Sequence, residues 1–402
     1  MIKIDLRRLI ADLRKLAEFG KVGTGVNRPA FSAADMEARE WLREKMMEAG
    51  LDAEIDGAGN VFGRCRGTGP AVLIGSHSDS VPRGGWLDGA MGVIYGLEIS
   101  RAASEASNGR AVDVIAFEEE EGSYLPLLGS LSFCGDLNDS DVEAARNTSG
   151  DSLTDAIAGV GLADRPAARF EDGRYRAYLE AHIEQGPRLE AENLKLGVVT
   201  AIVGIRRFRV TFGGRADHAG TTPMAMRRDA GRSSIRVAGA MIDLFERNAG
   251  PDTVWNIGKV TFEPGAANVV PSHAEFLFEF RDTNAEFMDG LEQSLHDIVR
   301  ETNGAGPVAV TLDKTANILP TPMNPALGEI IEAASRDAGA ASMRMPSGGG
   351  HDAMVLARHM PTAMLFVPSI GGRSHDIEED TDEDDIVLGC EVLASVVDRI
   401  LN

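Results

Sequence analysis

Cysteine is scarce in this chain. The three present among 402 residues, Cys65, Cys134 and Cys390, are scattered and odd in number, which excludes a disulfide framework and a thiolate zinc site. A reducing, cytoplasmic compartment fits that usage. Positive charge is short as well: 40 Lys and Arg face 62 Asp and Glu, for a net charge of −22. Such a surface repels phosphate backbones and anionic lipid, so neither nucleic acid nor a membrane surface is an expected partner. No run is long and apolar enough to span a bilayer. The stretch Asp5 to Phe19 is broken by Arg7, Arg8, Asp12, Arg14 and Lys15, so it reads as an amphipathic surface helix and not as a signal peptide. An anionic substrate is repelled too, unless bound metals or particular arginines concentrate positive charge locally.

What is there belongs to a folded protein: 43% of residues are hydrophobic and 25% charged. The length suits two domains, one inserted into the other. Residues 35–49 have helical periodicity and stop at a glycine, and the short apolar runs Ala71–Gly75, Val112–Phe117 and Ala363–Val367 read as buried strands. Alternating helices and strands imply an α/β layer with a mainly parallel central sheet. Between residues 204 and 317 the texture changes. Ile205–Phe212, Trp255–Phe262 and Ala274–Arg281 alternate apolar and polar residues around helical patterns near 227–247 and 285–302. That predicts a separate α+β module with a half-exposed antiparallel sheet, splitting the α/β domain into 1–203 and 318–402, with a hinge near Val203 and Asn317. The acidic stretch Asp376–Asp385 reads as a solvated loop capping a helix from Ile386.

Chemistry concentrates where strands end. Gly75–Gly92, GSHSDSVPRGGWLDGAMG, places His77, Asp79 and Asp88 in a glycine-rich loop; in α/β folds, sites lie outside the carboxyl ends of strands. Asp79 is expected to accept the second ring N–H of His77 and fix its tautomer. Glu118, Glu119, Glu120 and Glu121 follow the strand Val112–Phe117, and four adjacent carboxylates there call for compensating cations. His182 and His375 occupy similar settings, while His273, His296 and His359 read as structural residues. Imidazoles and carboxylates of this kind suit two Zn²⁺ or Mn²⁺ ions bridged by a carboxylate. The segment Pro346–Ala353, PSGGGHDA, reads as a glycine loop entering a helix, with His351 an orienting residue.

The motifs GSHSDSVPRGGWLDGAMGV, EEG at 120–122, HIEQGP at 182–187, DHAGTTPM at 217–224, NVVP at 268–271 and SH at 374–375 resemble the M20 metallopeptidase family, in its hydantoinase/carbamoylase branch. The resemblance covers nearly the whole chain. It implies a zinc-aminopeptidase-like di-metal domain carrying a ferredoxin-like lid and dimerisation domain. It also implies a homodimer that hydrolyses a small ureido acid, either an N-carbamoyl-L-amino acid or allantoate, with an aminoacylase or dipeptidase activity less favoured. By the same resemblance His77 and His182 look like ligands of one divalent ion, Glu121 and His375 of the other, and Asp88 bridges both. The ions are Zn²⁺ or Mn²⁺, with Co²⁺ and Ni²⁺ as alternatives. Glu120 looks like the general base, and His218 like an oxyanion donor contributed across the dimer interface. Gln185, Gly349, Asn268 and Arg281 look like substrate contacts, the last two clamping a carboxylate. Where the branch usually has glycine, serine, arginine and phenylalanine after Glu121, this chain has Gly122, Ser123, Tyr124 and Leu125. That departure touches no expected ligand and leaves the substrate's identity open.

Overall fold

The apolar runs Ala71–His77, Val112–Phe117 and Thr362–Val367 are buried along their whole length in a computed structural model that describes residues 2–67, 69–106 and 110–402. Strands covered on both faces have no polar side to alternate with, which is why these segments are continuously apolar. With Tyr175–Ile183 they make the parallel centre of a sheet, ordered Val112–Phe117, Ala71–His77, Tyr175–Ile183, Thr362–Val367. Its margins are antiparallel: Val61–Arg64 and Asp52–Ile55 on one side, Leu196–Ile202 on the other. The helices Ala33–Glu48, Ala90–Glu105, Pro325–Asp337 and Glu383–Leu401 pack against this sheet.

Because the four central strands run the same way, their carboxyl ends line one edge. His77 stands opposite Phe117 and His182 opposite Phe366 in the strand register. His77 is thus the last residue of its strand and not a loop residue, since the ladder runs two residues beyond Gly75. The first long helix starts at Ala33, two residues before its expected start, because Ser32 Oγ accepts the Asp35 N–H and caps it there.

Apart from Ala201 and Ile202, these strands belong to a compact unit of Met1–Thr200 with Met323–Asn402, and Ala201–Pro322 forms a second unit. The division thus lies slightly outside the expected 204–317 on both sides. Asn317 pairs with Arg206 inside a strand, Ala309–Ile318, that the periodicity did not reveal.

Ala201–Pro322 has the element order strand, helix, strand, strand, helix, strand, and its four strands form an antiparallel sheet ordered Val254–Glu263, His273–Asp282, Gly204–Gly213, Ala309–Ile318. That is the ferredoxin-like arrangement. Alternation decides the faces: Phe208, Val210 and Phe212 and, on the neighbouring strand, Phe276, Phe278 and Phe280 point inward. They meet Ala230–Asn248 and Ala285–Ala305, with Phe245 edge-on to Phe278 at 5.0 Å between ring centroids. Among the described residues no helix is long and apolar enough to cross a membrane.

Candidate metal centre

Two groups of side chains converge at the carboxyl edge of the parallel strands: His77, Asp88 and His182, and Asp88, Glu121 and His375. Within each group the potential ligand atoms lie within 4.8 Å of one another. Asp88 belongs to both. Its Oδ1 is 2.9 Å from His182 Nε2 and 3.7 Å from His77 Nε2. Its Oδ2 is 3.3 Å from His375 Nε2, which in turn is 3.5 Å from Glu121 Oε2. Ligand bonds of about 2.0–2.1 Å in a tetrahedral shell place neighbouring donors roughly 3.3–3.4 Å apart, so these spacings suit one ion per group.

The imidazoles are set up as donors of lone pairs. His182 gives its Nδ1–H to the Ile183 carbonyl at 2.9 Å, and its Nε2 accepts the Gly89 N–H at 3.1 Å. His77 likewise gives Nδ1–H to a carbonyl, that of Asp79, at 3.0 Å. In both rings Nε2 is therefore the unprotonated nitrogen of the neutral form, the state in which an imidazole binds a cation. The carboxylate of Asp79, expected to take the His77 proton, stands 3.7 Å from Nδ1. It accepts instead from the backbone N–H groups of Glu120 and Glu121, at 3.4 and 3.3 Å. The reason is local: the carbonyl two residues along is nearer the ring, which frees the side chain to hold the glutamate turn.

That turn explains how four successive glutamates do different things. Glu119 takes a left-handed φ of 61° and folds back so that its Oε1 accepts from Tyr124 and Leu125. Glu118 turns inward to the Arg39 guanidinium. Glu121 joins the second ligand group, with Oε1 buried and without a hydrogen-bond partner among the described residues. Glu120 belongs to neither group, and its Oε2 lies 3.7 Å from His77 Nε2. The departure at Tyr124 and Leu125 therefore sits on a turn shaped by Glu119, with the Tyr124 ring edge-on to Phe31.

Electrostatics point the same way. Burial, with Asp88 adding to it, pushes the Glu121 carboxyl up to about 7. Burial also holds Glu120 well above the usual carboxylate range, against the pull of His77. Burial works to raise Asp88 too, but the close imidazoles of His182 and His375 outweigh it and keep it well below its usual value. Hydrogen-bonded to Asp88, His375 is raised to about 9. A site that packs this many carboxylates out of water gains most from divalent charge.

Around the two groups, Gln185 donates Nε2 to Asp88 Oδ2 at 3.1 Å from a left-handed backbone with φ 59°. Gly349 lies beside it, where a Cβ would come 3.0 Å from Gln185 Oε1. His351 packs edge-on to His182 with centroids 4.6 Å apart and shares a hydrogen bond of 2.8 Å with Ser347. The short helix that follows this loop offers little to an anion, because the Ala353 N–H is already taken by the buried Glu180 carboxylate. Gly89 must be glycine: its φ is 63°, and a Cβ would fall 2.4 Å from His77 Nε2.

Three of the expected site residues lie in the ferredoxin-like unit. His218 bridges to Val269, and Ala219 N donates to the Asn268 carbonyl, so His218 and Asn268 sit on adjoining loops. His218 Nδ1 accepts from Gly220 and Thr221 N–H at 3.0 and 3.2 Å, which assigns the ring proton of the neutral form to Nε2. Arg281 pairs with Glu279 at 2.8 Å on the outer face of the sheet.

One loop residue escaped sequence reasoning. The acidic stretch after His375 is not uniformly solvated: Glu379 is 1% exposed. The helix also begins at Glu383 and not at Ile386, with Glu383, Asp384 and Asp385 in its first turn, where the helix dipole favours acids. No spacing signal marks Glu379 among its acidic neighbours.

Residues 73–399 match the family described as Peptidase family M20/M25/M40. The chain belongs to the M20 family. This M20 chain is 36% identical to an N-carbamoyl-L-amino-acid amidohydrolase from Paenarthrobacter aurescens over 98% of each chain. It is also 36% identical to an allantoate amidohydrolase from Escherichia coli (strain K12) over 92% of each. A crystal structure of an amidase of the hydantoinase/carbamoylase family from Burkholderia phymatum superposes with a TM-score of 0.95 at 48% identity, covering 100% of this chain and 98% of that one. The M20 chain therefore falls in the hydantoinase/carbamoylase branch.

Proposed function

We propose that this M20 chain hydrolyses the ureido C–N bond of an N-carbamoyl-L-amino acid, releasing the amino acid, ammonia and CO₂, as a cytoplasmic homodimer with two divalent cations per subunit. The observation that carries this reading is the sharing of Asp88 by two ligand-sized groups, His77 with His182 and Glu121 with His375. When bound, such a pair of cations supplies positive charge that acidifies a water and polarises the ureido carbonyl. Zn²⁺ or Mn²⁺ suits these nitrogen and oxygen donors, with Co²⁺ and Ni²⁺ as alternatives.

The protein's own groups do the rest. Glu120, outside both ligand groups, holds the proton of the attacking water on its carboxylate and delivers it to the leaving nitrogen. Gln185 donates through Nε2 to Asp88, which turns Oε1 to accept from the ureido –NH₂. Gly349, next to that amide, leaves room for the substrate. His218 offers Nε2–H to the developing oxyanion across the dimer interface. Asn268 and Arg281 hold the α-carboxylate, a task for which a guanidinium's paired N–H groups are shaped.

Ammonia release from N-carbamoyl amino acids, allantoate, ureidoglycolate and dipeptides, measured on metal-reconstituted protein, tests the assignment. N-carbamoyl-L-amino acids are expected to be turned over fastest. The 36% identity to the E. coli allantoate amidohydrolase favours allantoate as the second reading, and a faster rate on allantoate would select it. Dipeptide hydrolysis outrunning every ureido compound would refute both.

Arg281→Ala is expected to raise KM for an N-carbamoyl amino acid about 10–100-fold, the worth of one charge-assisted contact, with kcat changed less. Steady-state kinetics decide it, and an unchanged KM removes Arg281 from the clamp.

A further inference from the structure

Glu379 is an acid buried beside an acid. Its Oε1 accepts from the backbone N–H of Leu87 at 3.2 Å and of Asp88 at 3.0 Å. Its Oε2 accepts from Ser374 Oγ at 3.0 Å, and that hydroxyl is also 3.2 Å from Asp88 Oδ2. Among the described residues no lysine, arginine or histidine forms an ion pair with Glu379. Burial with only N–H and O–H partners costs a carboxylate free energy, so a role for the placement is called for.

The backbone around Glu379 is fixed independently of Asp88. Glu379 N donates to the Asp376 carbonyl, Ile370 N to the Asp380 carbonyl at 2.9 Å, and Thr381 Oγ1 to the Pro368 carbonyl at 2.8 Å. The loop carrying Asp88 then closes down on this fixed carboxyl group. At Gly85 a Cβ would fall 1.9 Å from Glu379 Cδ, so only glycine lets the backbone approach this near. The result ties together the loop that carries Asp88 and the loop that carries His375. Asp88 is gripped at its N–H by Glu379 and at Oδ2 by Gln185, and the single Ser374 O–H lies between the Glu379 and Asp88 carboxylates, where it donates to one or the other.

We propose that Glu379, acting with Ser374, is a positioning residue that aims the Asp88 carboxylate at the second cation, the one assigned to Asp88, Glu121 and His375. This rests on the dinuclear reading above and goes beyond it by naming what holds the bridge in place. Residues that orient a ligand from behind are commonly worth 10–100-fold in metal affinity. The hydroxyl and the carboxylate here act on one oxygen and one N–H of the same ligand.

The test is a competitive chelator titration with Zn²⁺, with metal content per chain measured after desalting, on wild type, Glu379→Ala, Glu379→Gln and Ser374→Ala, and with His375→Ala as the reference for a lost second site. Wild type is expected to hold two cations. In Glu379→Ala the second cation is expected to bind about 10–100-fold more weakly while the first keeps its affinity, so that the variant resembles His375→Ala. Glu379→Gln, which keeps a carbonyl oxygen for the two N–H groups, is expected to recover part of the loss. A purely structural role predicts a lowered melting temperature with both cations weakened together or neither, and that pattern overturns the proposal. Should Glu379→Ala not fold, Ser374→Ala decides alone: selective weakening of the second cation supports the link, and wild-type affinity at both sites overturns it. A wild-type protein that holds fewer than two cations instead overturns the dinuclear reading, a result distinguishable from failure of the link.

Discussion

Glu120→Gln is expected to lower kcat by about 10²–10⁴-fold, the range for removal of a positioned general base, while both cations remain bound. The expectation follows from how the turn after Phe117 is built. Asp79 pins the N–H groups of Glu120 and Glu121 with its two carboxylate oxygens, so the two neighbouring side chains start from a fixed backbone and leave it differently. Glu121 reaches His375 and Asp88, whereas Glu120 points toward His77 and stays outside both ligand groups. Glutamine has the same size and is still able to accept a hydrogen bond, but it cannot hold the proton that must travel to the leaving nitrogen. KM is therefore expected to change little. The experiment pairs the rate of ammonia release with metal analysis of the same preparation. A variant within about threefold of wild type in kcat would take the base role from Glu120; loss of a cation would make it a ligand.

How much of this was legible beforehand differs by element. The buried parallel strands could be read because burial on both faces leaves continuous apolar runs, and the ferredoxin-like sheet because Phe208, Val210 and Phe212 alternate with Arg207 and Arg209. Its fourth strand, Ala309–Ile318, hid because its burial pattern is mostly exposed and carries little alternation. At the site, His77, Asp88, Glu121, His182 and His375 stand in motifs near strand ends, and parallel register is what gathers them. Relations that depend on backbone geometry were not legible. Nothing in HSD says that the carbonyl of Asp79, and not its carboxylate, receives the His77 proton. Glu379 was misread for a comparable reason: its donors, Leu87 and Asp88, are about 290 residues away in the chain, so its acidic neighbours dominated the local signal. Arg39 and Glu118 belong to the same class. Helical periodicity leaves a charged residue at position 39 looking like any other, and only the packed structure shows it to be wholly buried.

Arg39→Leu is expected to destabilise the protein by roughly 3–5 kcal/mol, the cost of leaving buried charge uncompensated. The guanidinium is 0% exposed and serves more than one acid. Its Nε pairs with Asp35 at 3.0 Å and with Glu118, and Nη2 comes within 3.9 Å of Asp79. Its other N–H groups reach the carbonyls of Gly59, Ala116 and Phe117, the last two at the end of the strand that leads into the glutamate turn. Burial pushes the Asp35 carboxyl up and the Glu118 carboxyl well above the usual range, and in both cases Arg39 is the main opposing influence. Removing it strands these acids and three carbonyl oxygens with no solvent to turn to. At roughly 2–4 °C per kcal/mol for a domain of this size, the melting temperature is expected to fall by about 6–20 °C. Arg39→Lys should fall between, since it keeps the charge but loses the planar fork that reaches carboxylates and carbonyls together. Thermal unfolding of the three proteins with cations held at saturation measures this, and a shift under about 2 °C in Arg39→Leu would mean that the acids find other compensation. A second consequence separates this charge from an ordinary structural ion pair. Asp79, released from the guanidinium, is expected to loosen its hold on the Glu120 and Glu121 N–H groups, so that cation affinity falls together with stability.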